Sequence, residues 1–210
     1  MVGRISIKHD ITVGELVPRE LLVDRQGDPI EDSGALGRYF EQRLMDFGHY
    51  INPNSGPDLL DQVEVKTRRF PAKSGVHIAK MTPLAIATTP YALSNLRNKM
   101  QQWLYIVVNM HDARVLEVSQ LDFMHDSTQK WLEEKYERCR EAVCAQFKLY
   151  GKCTFNYHKP PGNLLYLERP KESTADHSYT FNLAAEDMRL LHSISKGAVS
   201  LNNKDLFAWA

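Results

Sequence analysis

The nine residues Gln62 to Phe70, QVEVKTRRF, alternate apolar and polar side chains with period two. On an extended backbone that pattern sends Val63, Val65 and Thr67 to one face and Glu64 and Lys66 to the other. A helix, with its period of 3.6, cannot make this separation, so the run demands a strand half-facing a core. Upstream the period changes. Leu36, Phe40, Leu44 and Phe47 recur at helical intervals and Gly48 follows as a natural stop, which predicts a helix over 35–47. Between the two, INPNSGPD is dense in turn formers.

Downstream, VHIAKMTP predicts another strand, and TTP before YALSNLRNKMQQWL supplies a capping residue and a proline for a helix over about 90–102. LYIVVNM is a short continuous apolar run of the buried-strand kind, HDA a turn, and RVLEVSQLDF a returning strand. A long amphipathic helix over 128–147 follows, capped by Ser127 or Asp126, with Leu132, Tyr136, Cys139, Val143 and Phe147 on one stripe and Gly151 ending it. The last sixty residues read as strand pieces CTFNYH and NLLYLE around the loop KPPGN, a polar stretch KESTADHS, and a short helix in LAAEDMRLLHSIS. Alternating strands and helices imply an α/β fold, and 210 residues without repeats imply a single domain over 1–210.

The zero formal charge conceals an uneven distribution. Residues 1–61 carry eleven acids against six bases, whereas residues 62–110 carry seven bases, Lys66, Arg68, Arg69, Lys73, Lys80, Arg97 and Lys99, against Glu64 alone. A local basic field of this size suits a phosphate backbone, while overall neutrality argues against a protein that coats nucleic acid indiscriminately. Three cysteines, Cys139, Cys144 and Cys153, lack CxxC spacing and read as buried thiols. No apolar run approaches the length of a membrane span, and MVGRISIKHD lacks a signal-peptide core, so a cytoplasmic location is expected.

Glu64 and Lys66, on one face of the strand, stand about 7 Å apart at Cβ. Asp58, in a proline-bounded turn just upstream, can bring a second carboxylate to the same place. Two converging hard oxygen ligands suit Mg2+, which keeps waters and shares itself with a substrate phosphate. Lys66 could then orient an attacking water or neutralise charge on the transition state.

Pro57-Asp58, five residues, then Glu64-Val65-Lys66 resembles the active-site signature of the PD-(D/E)xK nuclease superfamily, the restriction-endonuclease-like fold. The resemblance implies a core with a central mixed β-sheet flanked by helices, recognisable over about 35–121, with 122–210 as a C-terminal elaboration. It implies a magnesium-dependent endodeoxyribonuclease, most nearly a sequence-specific, type II restriction endonuclease-like enzyme. A repair nicking enzyme, a junction resolvase and a non-catalytic DNA-binding module are the alternatives. Asp58 and Glu64 would hold the metal and Lys66 would position or activate the nucleophile. Glu41, on the flank of the 35–47 stripe, would be a supporting acid and further metal ligand. The gap from Asp58 to Glu64 is short, which requires a tight hairpin or twisted turn; Asp61 is the substitute first acid.

Double-stranded DNA is the implied partner. Arg68, Arg69 and Lys73 would hold phosphates along the scissile strand, and Asn95, Arg97, Asn98 and Lys99 would read bases or take a phosphate at a helix start. His77 and HKPPGN are weaker candidates. Cutting both strands would suit a homodimer; nicking would suit a monomer.

Overall fold

A computed structural model describes residues 7–24, 26–28, 30, 34–52, 57–59, 62–71, 75–152, 165–168, 178–183 and 188–198. In chain order its principal elements are α1 (Ala35–Asp46), β1 (Val63–Phe70), β2 (Val76–Met81), α2 (Pro83–Thr88), α3 (Asn95–Lys99), β3 (Gln102–Asn109), β4 (Val115–Asp122), α4 (Asp126–Tyr150), β5 (Leu165–Glu168), β6 (Tyr179–Leu183) and α5 (Met188–Ser195). The chain divides into two compact units, Met1–Lys73 with Gln101–Asp122, and Ser74–Met100 with Phe123–Ala210. The class is α/β, as the alternation of periods implies. Among the described residues no helix is long and apolar enough to cross a membrane.

The first unit is built on a mixed sheet in the order β1-β3-β4. β1 runs parallel to β3, with Val63 beside Gln102 and Phe70 beside Asn109, and β4 returns antiparallel to β3. Leu36, Phe40 and Leu44 of α1 are buried at helical spacing and join Val63 and Val65 of β1 and Leu104, Ile106 and Val108 of β3 in one core. Each such side chain removed from water contributes about 1.5–3 kcal/mol. Phe47 does not extend that stripe. It is the residue after the helix, 48% exposed and stacked on His49, because Gly48 at φ 106° turns the chain away.

The second unit carries an antiparallel sheet in the order β2-β6-β5. The strand predicted in VHIAKMTP is present as β2. β2 pairs with β6, in YTFNL, a stretch running from KESTADHS into LAAEDMRLLHSIS to which the sequence reading assigned no strand. The buried face of α4 includes Trp131, Leu132, Tyr136, Cys139 and Val143, and Tyr136 packs on Phe181 of β6 with ring centroids 5.8 Å apart. Burial raises the hydroxyls of Tyr91 and Tyr136 well above the usual phenol range.

Three local predictions shift. The helix over 90–102 becomes a single 3-10 turn, Tyr91–Leu93, and then the five-residue α3. The Ser94 hydroxyl, which accepts from the Arg97 amide, restarts the helix there. The proline that opens a helix is Pro83, behind the Thr82 cap of α2, rather than Pro90. At α4 neither Ser127 nor Asp126 caps: the Ser127 hydroxyl donates to the Gly197 carbonyl, and the helix begins at Asp126. Gly151 ends α4 in the left-handed region, as expected. CTFNYH lies outside the described residues.

Candidate active site on the first strand

The short interval between Asp58 and Glu64 is closed by a tight hairpin. Leu59 donates its amide to the Val63 carbonyl at 2.9 Å, and Gln62 donates to the Leu59 carbonyl at 3.0 Å. Gln62 sits at φ 64°, in the left-handed region. On its other side the same segment bridges Ile51 through Leu59, and the Asp58 carbonyl accepts from Asn52 at 2.8 Å. The loop length that the sequence could only demand is therefore met by backbone hydrogen bonds on both sides of Asp58.

This folding aims the Asp58 side chain at β1. Its Oδ2 accepts the Val65 amide at 2.9 Å. β3 lies on one side of β1, so the Val65 amide, pointing to the other side, leaves the carboxylate on the edge of the strand. One residue away, Glu64 projects onto the sheet face beside Trp103 of β3.

The face that bears Glu64 is a grid. Glu64, Lys66 and Arg68 stand beside Trp103, Tyr105 and Val107 of β3, which in turn face Leu121, Ser119 and Glu117 of β4. The Glu64 side chain is 1% exposed and that of Lys66 16%, and Lys66 Nζ donates to Glu64 Oε1 at 2.5 Å. An ionised carboxylate so deeply buried is costly unless a cation meets it. Lys66 Nζ also lies 5.9 Å from the Trp103 ring centroid, within cation–π range. Burial pushes the Tyr105 hydroxyl up from its ordinary value, and the nearby Arg68 guanidinium offsets part of that rise.

The remaining site candidates separate. Arg68 is on the Glu64 face but 9% exposed, a buried charge rather than a surface clamp. Arg69 lies on the opposite face, where it donates to the Ile30 carbonyl at 3.0 Å and the Leu21 carbonyl at 3.3 Å. These bonds tether the Arg69 guanidinium to the backbone of the N-terminal segment. Glu41 does lean toward the sheet, but to a different place. Its Oε1 and the Thr67 hydroxyl both lie 3.7 Å from the point where a Gly37 Cβ would sit, and Thr67 faces away from Glu64. Among the described residues no three His, Cys, Asp or Glu side chains gather as ligands of an ion. Asp61 and Lys73 lie outside the described residues.

Asn95, Arg97, Asn98 and Lys99 belong to α3 in the second unit. Arg97 donates to the Met124 sulfur at 3.5 Å, and the Ser94 hydroxyl accepts the Arg97 amide at the helix start. His77 is exposed on β2, opposite Asn182 of β6. Sequence reasoning missed Trp103 and Tyr105. Both sit in an apolar run whose side chains look like plain core until the parallel register sets them beside Glu64 and Lys66.

No protein-family model matches this sequence, and no curated protein matches it.

Proposed function

We propose that the protein is a magnesium-dependent endodeoxyribonuclease of the PD-(D/E)xK kind, sequence-specific in the manner of a restriction enzyme, acting on double-stranded DNA. The observation that carries this reading is the Asp58 hairpin. It sets one carboxylate at the edge of β1 beside Val65, one residue from the buried Glu64–Lys66 pair. A charged strand serving only as surface has no need of a hairpin that delivers a further acid to it.

The donor chemistry fits magnesium. The carboxylates of Asp58 and Glu64 are hard oxygen ligands, and one or two carboxylates with substrate phosphate and water make up a usual magnesium shell. When bound, the ion would supply charge neutralisation at the phosphoryl oxygen and a water acid enough to attack near neutral pH. Asp58 and Glu64 would hold it, and Glu41, whose Oε1 lies beside Gly37, is left out of the ligand set. The Val65 amide fixes the Asp58 carboxylate through a charge-assisted hydrogen bond. Lys66 would stabilise the charge that builds on the phosphorus oxygens and orient the water. Arg68 adds positive potential on the same face.

The test is incubation of mixed long duplex DNA with magnesium, against Lys66→Ala and a calcium control. Discrete fragments are expected from the natural protein, with none from the variant or in calcium. Salt-sensitive DNA retention without cleavage would replace the enzyme by a binding module. Neither cleavage nor retention would return the hairpin to a structural role.

A further inference from the structure

The site as built holds a cation already, and it is the lysine. Glu64 Oε1, an oxygen that a divalent ion would need under the proposed function, is occupied by Lys66 Nζ at 2.5 Å, with the carboxylate 1% exposed. One oxygen cannot serve an ammonium at that distance and a metal at about 2.1 Å together without severe like-charge repulsion. The ammonium has few places to go. Arg68, two residues along the same face and itself 9% exposed, repels it from that side. The Trp103 ring, level with Glu64 in the β1–β3 register and 1% exposed, already lies 5.9 Å from Nζ. An aromatic face attracts a cation without supplying a competing carboxylate.

We propose that Lys66 is the resting counter-ion of Glu64, that a divalent cation entering the site displaces its ammonium from Oε1, and that the Trp103 ring retains the released charge beside the reacting phosphate. This rests on the proposed function. It makes Trp103 a positioning residue that acts through Lys66. It also gives Lys66 two opposed effects, competition with the metal before substrate arrives and assistance to the chemistry afterwards.

The experiment is calcium binding without DNA, by equilibrium dialysis, on the folded natural protein, Lys66→Met and Lys66→Arg, with tryptophan emission recorded alongside. Removing the competing charge is expected to tighten calcium binding on the order of fivefold in Lys66→Met, while Lys66→Arg, which keeps a cation there, gains little. Calcium is expected to change the emission of the natural protein, and Trp103→Phe, which retains Trp131 and Trp209, to lose most of that change. Equal or weaker binding by Lys66→Met overturns the inference and leaves the nuclease reading standing if the natural protein still cuts DNA. If Lys66→Met fails to fold, the emission decides: bound calcium with no change at Trp103 overturns the displacement. No calcium bound by the natural protein or by Lys66→Met at about 10 mM overturns the metal site and the inference together.

Discussion

The two faces of β1 are made by one backbone and have opposite chemistry. Val63, Val65 and Thr67 face α1 and the apolar core, and Arg69 on that side spends its guanidinium on the carbonyls of Leu21 and Ile30. Glu64, Lys66 and Arg68 face the other way, and all three are largely withdrawn from water even though they are charged. An ordinary half-exposed strand would put its charges in solvent, where their desolvation cost is small. Keeping them buried costs stability unless each is met by a partner. The difference teaches that one face of this strand maintains the fold and the other holds charge at the fold's expense, which is the pattern expected of a site.

The largest test of that contrast is Val65→Asp. Val65 is 5% exposed in the core, so a carboxylate there is expected to cost more than about 4 kcal/mol and leave little folded protein, read by urea unfolding. Glu64→Gln, one residue away and nearly the same volume, keeps an acceptor for Lys66. It is expected to stay folded, with stability changed by no more than about 2 kcal/mol, while cleavage falls on the order of a hundredfold or more. If Glu64→Gln unfolds as Val65→Asp does, the charged face is structural and the contrast disappears.

How much of this was legible in the sequence depends on the range of the interaction. The alternation of β1, the Leu36, Phe40 and Leu44 stripe and the Gly151 stop are local patterns, and each is found where the pattern puts it. The need for a hairpin after Asp58 was legible from a count of residues. What did not show is pairing at a distance. β1 and β2 are neighbours in sequence but lie in different sheets, because β2 finds β6 about a hundred residues later and nothing in VHIAKM names that partner. Trp103 and Tyr105 were invisible for the same reason, since only the parallel register sets them beside Glu64 and Lys66. Arg68 and Arg69 looked interchangeable in a basic run until the pleat sent them to opposite faces.

That last pair sharpens the comparison. Arg69→Met removes the donor to two carbonyls and is expected to lower stability by about 1–3 kcal/mol with cleavage per folded molecule unchanged. Arg68→Met removes a buried positive charge from the other face. It also withdraws the guanidinium from the Tyr105 hydroxyl, which costs stability of its own, and unlike Arg69→Met it is expected to reduce cleavage per folded molecule. Denaturant midpoints and single-turnover rates on both variants check this. Reversed results would exchange the roles of the two faces.

The smallest expected effect lies at the edge of the α1 side and concerns pH. Arg43 of α1 holds Asp10 at 2.9 Å and Glu15 at 2.5 Å, which fastens the N-terminal segment to the helix. The hydrogen bond from Arg43 holds the Asp10 carboxyl below its ordinary value of 3.8 against the opposing cost of burial, with the guanidinium's charge adding to the effect. A carboxyl whose pKa is lower folded than unfolded contributes stability that is present above the unfolded value. That contribution is lost as pH falls through the folded value. The melting temperature of the natural protein should therefore exceed that of Asp10→Asn near neutral pH, and the gap should narrow as pH drops past 3.8 and close below the folded pKa. Asp10 is half exposed, so solvent screens the pair and the gap should be small and shrink further in salt. Cleavage should not follow this gap, because Asp10 belongs to the fastening of α1 and not to the Glu64 face; a cleavage rate that tracked it would mean that the fold-maintaining side of β1 also sets the chemistry.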